Sequence, residues 1–245
     1  SNVLATVFFL ISLYRMRKNS VIHIDPKYLR YAKLHLKSIL SVGFPSAVQY
    51  ALTVVAIAAQ AKFVSKYATE AVAALGIVKK LDQLPLYFSI GVSSGLLPLL
   101  AYNYASGNQT RRRKSFRFGC MISLSFSLLC LVCYELFAPQ LSALFIEDAT
   151  TISYSAGFLR RMVTAMPMMS LCYPMIIQFQ AMGKVKESLI TSVLRKGVLD
   201  IPLLFLMDRL MPLYGCMWVQ PIVDSISLIV AGTLYFRLKH NESMT

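Results

Sequence analysis

Residues 94–117 read SGLLPLLAYNYASGNQTRRRKSFR, and this stretch decides the class of the fold. An apolar run ends at Tyr102 and Tyr104, a Gly-Asn turn follows, and five cations come directly after the turn. Apolar runs of about 20 residues can cross the roughly 30 Å hydrocarbon core of a bilayer as helices. Cations at the end of such a run anchor it at the membrane surface. The stretch therefore predicts a transmembrane helix with tyrosines at the interface, Asn103 as a cap for the last carbonyls, and a basic loop.

Apolar runs of this kind occupy most of the chain. They lie at 36–64, 71–105, 116–138, 152–182, 186–207 and 213–236. The composition is 56% hydrophobic and 15% charged, which predicts an all-α, polytopic membrane protein with a six-helix transmembrane bundle in a lipid bilayer. The chain carries 25 Lys and Arg against 11 Asp and Glu, but the cations are clustered between apolar runs. A nucleic-acid module would spread them over a soluble surface, so we predict no nucleic-acid partner.

The clustered cations occur in every second connector. They fill the connectors 15–37, 106–117 and 183–197 and the tail after 236, whereas the other connectors carry few charges. Cytoplasmic loops carry an excess of Lys and Arg, so this alternation predicts that the basic loops and the C-terminus are cytoplasmic. The protein is then multi-pass in the plasma (inner) membrane. In this scheme Arg195 belongs to a cytoplasmic loop.

The charge pattern also predicts the domain organisation. The short apolar run VLATVFFLISLY at 3–14 cannot span a bilayer, so residues 1–14 are interpreted as the tail of a transmembrane helix whose beginning is missing. Residues 15–40 are predicted to be a basic cytoplasmic linker, with an amphipathic helix at 26–40 that rests on the anionic leaflet. Residues 41–237 are predicted to form the transmembrane lobe, and 238–245 a cytoplasmic tail.

Prolines interrupt most of the predicted spans. They lie at 45, 85, 98, 167, 174, 202 and 221. A proline frees a backbone carbonyl and bends the helix, which a membrane tolerates where protein or a water-filled cavity satisfies the carbonyl. Bent helices of this kind are typical of a transporter, and they would also suit a membrane-embedded enzyme.

Polar residues inside the spans are candidates for a substrate or ion pathway. A carboxylate in hydrocarbon costs several kcal/mol, so it should face the bundle interior and be paired or protonated. Asp82 follows Lys79 by three residues and Asp200 follows Lys196 by four, so a local ion pair and a transport role are both open for each. Asp224 has no cation within one helical turn. The candidate pathway residues are Gln49, Thr53, Asp82, Gln178, Asp200 and Asp224.

The sequence offers little support for a catalytic site. No HExxH or Walker sequence occurs, GVSSG at 91–95 matches GxSxG only inside an apolar run, and all three histidines fall at the predicted cytoplasmic edge. The five cysteines all lie inside apolar runs, where they are interpreted as small core residues. We predict no catalytic, cofactor or metal site and no enzyme activity. Without a nucleotide site, transport must draw on an ion gradient or a partner, and Na⁺ or H⁺ is the expected coupling ion.

Three segments together resemble one transporter family. GVSSGLLPLLAYNYASGN (91–108), FQAMGKVKESLITSVLRKGVLDIPLLF (179–205) and GCMWVQPIVD (215–224) are similar, in this order, to motifs of MATE (multidrug and toxic compound extrusion) transporters. Family members have twelve spans in two six-helix lobes. The resemblance implies that this chain is the C-terminal lobe, that residues 15–40 link the lobes, and that the missing N-terminal lobe is its partner.

The resemblance also implies a function. It is that of a secondary active antiporter that exports organic cations or drugs, its small-molecule substrates, in exchange for Na⁺ or H⁺ by alternating access. Some members carry a coupling carboxylate in the seventh span, but here the span within 41–64 contains Gln49, Thr53 and Gln60 and no acid. Coupling can then rest with the first lobe.

Two other functions remain open from the sequence. A lipid-linked oligosaccharide flippase of the same superfamily would favour cations in its central cavity to hold pyrophosphate. A mid-span arginine is expected to be lacking, because Arg160 and Arg161 lie too near a helix end. A membrane-embedded transferase would need acidic or histidine clusters at one membrane face, and the sequence offers none.

Overall fold

The computed structural model describes residues 2–16, 29–195 and 199–244, and every regular element within them is a helix. The helices are α1 (Asn2–Met16), α2 (Leu29–Val64), α3 (Thr69–Ala105), α4 (Gln109–Ala143), α5 (Ala149–Met162), α6 (Met166–Ala181), α7 (Val185–Val193), α8 (Asp200–Leu210) and α9 (Gly215–Met244). A 3-10 turn at Val163–Ala165 joins α5 to α6. The predicted all-α fold class is confirmed.

The chain divides into two compact units, residues 1–43 and 44–245. In the first unit, α1 exposes large apolar side chains that include Leu4 and Phe8, as expected of a helix that faces lipid. The amphipathic helix predicted at 26–40 falls in the first part of α2, which begins at Leu29; residues 17–28 lie outside the described part. The interpretation of 15–40 as a linker between lobes stays a prediction.

The second unit contains the long membrane helices. Within the described residues, four helical segments are long and apolar enough to cross a membrane: Thr69–Ala105, Gln109–Ala143, Ala149–Ala181 and Gly215–Leu238. A shorter apolar stretch of α2 covers Tyr50–Val64. These segments confirm the spans predicted at 71–105, 116–138, 152–182 and 213–236.

The span predicted at 186–207 is not one continuous helix. Helix α7 ends at Val193, a π-helical turn follows at 194–195, and α8 begins at Asp200. In the sequence, Arg195, Lys196, Gly197 and Asp200 interrupt the apolar run at this point, and residues 196–198 lie outside the described part of the chain. Single π-helical turns are frequent at functional sites.

Two of the helix ends share one backbone motif. At the end of α3, the Asn108 N–H donates to the Asn103 carbonyl and the Gly107 N–H donates to the Tyr104 carbonyl. At the end of α6, the Lys184 N–H donates to Phe179 and the Gly183 N–H donates to Gln180. Both glycines have positive φ angles, of 71° and 67°. These are Schellman motifs, which glycine favours because it lacks a Cβ.

The residues of the YNY sequence therefore terminate a helix. The Asn103 side chain is buried and its Nδ2 donates to the Leu99 carbonyl at 2.7 Å, one turn back from the predicted position among the last free carbonyls. Tyr102 is 71% exposed, which suits the predicted interface position.

Two helices start on side-chain caps at opposite ends of α4. Asn108 accepts the Arg111 N–H at the start of α4, and Asp148 accepts the Thr151 N–H and hydroxyl at the start of α5. The hydrogen bonds from Thr151 hold the pKa of Asp148 below its usual value. Each cap satisfies backbone donors that have no partner inside the helix.

The core of the second unit lies where α5 and α6 pack against α3 and α9. Phe158, Met162 and Met166 are almost fully buried, and they share one cluster with Met217 and Val223 of α9. Small residues allow close approach of the helices around this core, as is usual between membrane helices. The packing fixes α3, α6 and α9 relative to one another, and these helices carry the candidate site.

We expect Gly215→Ala to destabilise the lobe by about 1–3 kcal/mol, because overpacking forces backbone shifts. A Cβ at residue 215 would collide with the backbone carbonyl of Met207, where α8 turns back into α9. Gly232→Ala in the same helix is the matched control: its Cβ meets nothing within 4 Å, so a gain of about 0.5–1 kcal/mol is expected from helix propensity. Thermal unfolding of the detergent-solubilised chain measures both, and equal effects would contradict the role of Gly215.

Candidate substrate and ion pathway

A cavity of about 490 Å³ opens among α2, α3, α6 and α9 of the second unit. Volumes of about 300–1,000 Å³ are typical of small-molecule sites. Six of its lining residues are apolar, three are tyrosines and nine are polar or charged. The lining residues are Tyr50, Thr53, Ile57, Lys79, Asp82, Gln83, Leu86, Tyr87, Ile90, Ser93, Ser94, Met169, Tyr173, Ile176, Ile177, Gln180, Arg195 and Gln220.

Helical periodicity places these side chains on the cavity wall. The α3 residues recur every three or four positions from Lys79 to Ser94, and the α6 residues do so from Met169 to Gln180. Residues at this spacing lie on one face of a helix. The two helices pack against each other, so each presents one stripe to the cavity.

A proline lies inside α3 beside this stripe. Pro85 has no N–H, so the carbonyl of Leu81 loses its helical donor. The Tyr134 hydroxyl of α4 donates to this carbonyl at 3.0 Å. A protein group therefore satisfies the freed carbonyl, as the proline pattern of the sequence required.

One polar network on the wall joins α3 to α9. The Lys79 ammonium donates to Gln220 Oε1 at 3.2 Å, and Gln220 Nε2 donates to Asp82 Oδ2 at 3.4 Å. Asp82 and Gln220 are each 8% exposed. The amide of Gln220 thus connects a cation and a carboxylate across two helices, and both charged groups also border the cavity.

A buried ion pair lies at the break between α7 and α8. Arg195 Nε donates to Asp224 Oδ1 at 2.8 Å, and neither side chain is more than 1% exposed. The Tyr173 ring of α6 covers the guanidinium, with its centroid 4.3 Å from Cζ. The pair links the end of α7 to the middle of α9, and Arg195 borders the cavity.

A small polar cavity of about 30 Å³ adjoins the same wall. Thr53, Gln60 and Asp200 line it together with Lys79 and Gln220. Gln60 Nε2 donates to the Cys216 carbonyl at 2.9 Å and so fixes α2 to the start of α9. This space is large enough for a water molecule or an ion.

The predicted pathway residues fall in different places. Thr53 and Asp82 line the large cavity, and Asp200 lines the small one. Asp224 lies behind the wall, where it holds Arg195. Gln178 is buried at the end of α6, and its Nε2 contacts the Met182 sulfur at 3.4 Å.

Gln178 therefore belongs to the helix end, since it is not among the described residues that line the two cavities. Gln49 lies in α2, and its side chain is outside the part of the chain that the structure describes.

The charge pattern misassigned Arg195. It placed this arginine among the cations of a cytoplasmic loop and predicted no mid-span arginine, yet the side chain is fully buried and paired with Asp224. The partner that Asp224 needed lies 29 residues earlier in the chain, so local helical spacing could not reveal it. Tyr173 and Gln220 were also missed as contacts of charged groups, and only their three-dimensional neighbours identify them.

A tyrosine with a perturbed pKa lies at the start of the α2–α3 connection, outside the spans. The Tyr67 hydroxyl donates to Asp208 Oδ1 at 2.7 Å, and this bond to a carboxylate raises the pKa of Tyr67. Lys66 lies 3.6 Å from the other oxygen of Asp208. The cluster connects the end of α2 to the end of α8 and is remote in sequence from the wall residues of α3 and α6.

Long apolar helices around an internal cavity define a multi-pass membrane protein. The MatE family model matches residues 45–206, so the chain belongs to the MatE family. This match includes α3 to α7 and most of α8, and it therefore contains Asp82, Arg195 and Asp200 of the site.

Two relatives carry the name multidrug export protein MepA. The protein of Staphylococcus saprophyticus is 29% identical over 239 residues, which is 98% of this chain and 52% of that protein. One from Staphylococcus aureus is 27% identical over the same shares of the two chains. This chain thus spans about half the length of these relatives.

Solved MATE transporters share the fold. A variant of the Vibrio cholerae transporter VcmN superposes with a TM-score of 0.86 at 19% identity, covering 96% of this chain and 54% of that one. An outward-facing multidrug resistance MATE transporter of the MOP superfamily gives 0.83 at 20% identity, covering 96% and 53%. The likeness establishes that the helical lobe has the MATE architecture.

Proposed function

We propose that this chain is the C-terminal lobe of a secondary active antiporter that exports organic cations and other drugs in exchange for Na⁺ or H⁺ by alternating access. The observation that carries the proposal is the cavity of about 490 Å³, whose wall combines apolar and aromatic side chains with polar and charged groups. Such a wall suits varied drug-sized ligands. Membership of the MatE family and the similarity to the multidrug export proteins MepA support the same activity. The missing N-terminal lobe is the proposed partner.

Asp82 is the proposed carboxylate for a cationic ligand or coupling ion in this lobe. It borders the cavity and is held by Gln220, which leaves carboxylate lone pairs for a ligand. Asp200, in the small adjoining cavity, is a second candidate for the coupling ion. Asp224 is proposed to position Arg195, because its carboxylate binds that guanidinium behind the wall.

Ethidium efflux tests the proposed function. Cells that carry the full-length gene should lose preloaded ethidium faster than cells without it, and collapse of the Na⁺ or the H⁺ gradient should abolish the difference. Asp82→Asn should slow efflux at unchanged protein level. Asp208→Asn serves as the matched control, since Asp208 is not among the described residues that line either cavity. Equal dye retention with and without the gene would reject drug export.

Arg195 removes one argument against the flippase, since a buried arginine does border the cavity. Pyrophosphate carries several charges, however, and the described cations of the wall are Arg195 and Lys79. Asp224 offsets the first, and Gln220 connects the second to Asp82. This balance favours drug-like ligands over a pyrophosphate-linked lipid. The same charge balance supports transport over a transferase reaction. The proposal includes no nucleic-acid partner.

We propose that the Asn108 end of α4 is cytoplasmic and that the Asp148 end faces outside, in a multi-pass plasma-membrane protein. Cysteines at the exposed positions Thr110 and Glu147 test this without removing the caps. In a variant whose five native cysteines are replaced with alanine, an impermeant maleimide should label residue 147 from outside intact cells. It should label residue 110 only in inverted membranes. Reversed labelling would contradict the orientation.

A further inference from the structure

The guanidinium of Arg195 has hydrogen-bond donors to spare. Only its Nε bonds to Asp224, while Nη1 and Nη2 have no hydrogen-bond partner among the described residues. Arginine carries five N–H donors in a planar fork. A buried donor without an acceptor costs free energy, and the cost is larger for a charged group. The fork is therefore poised to take an acceptor.

The position of Arg195 indicates that the acceptor would come from the large cavity. Arg195 borders the large cavity, whereas Asp224 is not among its described lining residues. Tyr173 lines the same cavity and its ring covers the guanidinium at 4.3 Å, and the side chain of Arg195 is 0% exposed. A ligand in the cavity would have to displace the Tyr173 ring to reach the fork, and the bond to Asp224 would then hold the guanidinium in place.

We propose that Arg195 binds the carboxylate of an amphipathic organic ligand. The two Nη groups would hold the carboxylate oxygens in a bidentate pair, the geometry for which arginine is best suited. The apolar body of the ligand would lie against Ile57, Leu86 and Ile90, which line the same cavity. This rests on the proposed drug export and deepens it by assigning one residue of the cavity wall, Arg195, to the carboxylate of a ligand.

Charge balance favours a monoanion over a phosphate ester. Asp224 already offsets the charge of Arg195, so the fork offers donors but little net charge. Lys79 is connected to the carboxylate of Asp82 by the hydrogen bonds of Gln220, so its charge is also partly offset. A single carboxylate needs one fork, whereas a pyrophosphate needs several uncompensated cations.

Two matched probes test the site. Radiolabelled 1-naphthaleneacetate carries a carboxylate, and 1-naphthaleneacetamide has nearly the same shape without the charge. Equilibrium dialysis against the full chain in nanodiscs should give a dissociation constant about tenfold lower for the acid than for the amide. Arg195→Lys keeps the charge but loses the fork, so this preference should fall to about threefold or less.

Three further measurements keep the test decisive. Arg161→Lys is the control, since Arg161 also stacks on a tyrosine, Tyr214, at 4.1 Å but does not line the cavity among the described residues; its preference should be unchanged. The double variant Arg195→Gln/Asp224→Asn removes both charges together, so it should fold and show no preference. Inorganic pyrophosphate should not displace the acid.

The outcomes separate the site from the transport proposal. Equal affinity for acid and amide, or a preference that survives in both Arg195 variants, would overturn the carboxylate site. Displacement of the bound acid by inorganic pyrophosphate would also overturn it, in favour of a phosphate ligand. If the preference for the acid depends on Arg195 but the protein exports no ethidium, the carboxylate site is supported and the proposed drug export is rejected. Ethidium export by a protein that binds the acid and the amide equally would support drug export and overturn the carboxylate site.

Discussion

Asp224→Asn is expected to lower the free energy of unfolding of the lobe by about 3–5 kcal/mol, because it leaves the Arg195 guanidinium charged and unpaired in the interior. Both side chains are essentially inaccessible, and the 2.8 Å bond between them joins the end of α7 to α9. The expected loss is a large fraction of the stability of an ordinary domain. Thermal unfolding of detergent-solubilised protein, followed by size-exclusion chromatography, measures it.

Two variants separate the ion pair from a general sensitivity to substitution. Arg195→Met with Asp224→Leu removes both charges, and it should recover most of the lost stability because buried pairs can be replaced by apolar residues at little cost. Glu135→Gln breaks the pair of Glu135 with Arg160, whose side chains are 40% and 51% exposed, so its effect should stay within about 1 kcal/mol. An unchanged unfolding temperature for Asp224→Asn would show that the pair does not stabilise the lobe.

Residues 1–245 alone are expected to transport no dye. A carrier of this architecture alternates access by moving two lobes against each other around a shared site. Tyr50 and Tyr87 line the cavity and are still 71% and 62% exposed, so this wall lacks a facing surface. The measurement is ethidium movement in liposomes that contain the chain, under imposed Na⁺ and H⁺ gradients. The expected rate equals that of protein-free liposomes.

Liposomes that contain this chain together with a separate first lobe serve as the positive control of this experiment. Liposomes that contain both lobes should show gradient-driven ethidium movement, and chemical cross-linking should report the paired species. Gradient-driven transport by the chain as a demonstrated monomer would contradict both the expectation and the interpretation of the chain as one half of a carrier.

Hydrophobicity alone was sufficient to predict most of the helices. The run at 71–105 corresponds to Thr69–Ala105, and the run at 213–236 corresponds to α9 from Gly215 onward, because a segment in lipid must satisfy its backbone hydrogen bonds internally. The run at 186–207 instead falls on two helices, α7 and α8. It is apolar on average, but its charged residues and Gly197 lie together near the middle, where averaging over a window conceals them.

The candidate site was only partly predictable, for a related reason. Asp82 and Thr53 could be found because a polar residue within an apolar run is conspicuous. Arg195 could not, since a cation beside a basic connector follows the rule for a membrane anchor. Its burial depends on a carboxylate in α9, and a contact between distant parts of the chain leaves no trace in local spacing. Conversely, Gln178 satisfied the rule for a pathway residue but contacts its own helix end.

The hydrogen bond from Tyr134 to the Leu81 carbonyl has a mechanical consequence. Because α4 holds the carbonyl that Pro85 frees, α3 is braced at this point rather than free to hinge. We therefore expect α3 and α4 to move together in any movement that opens or closes the cavity.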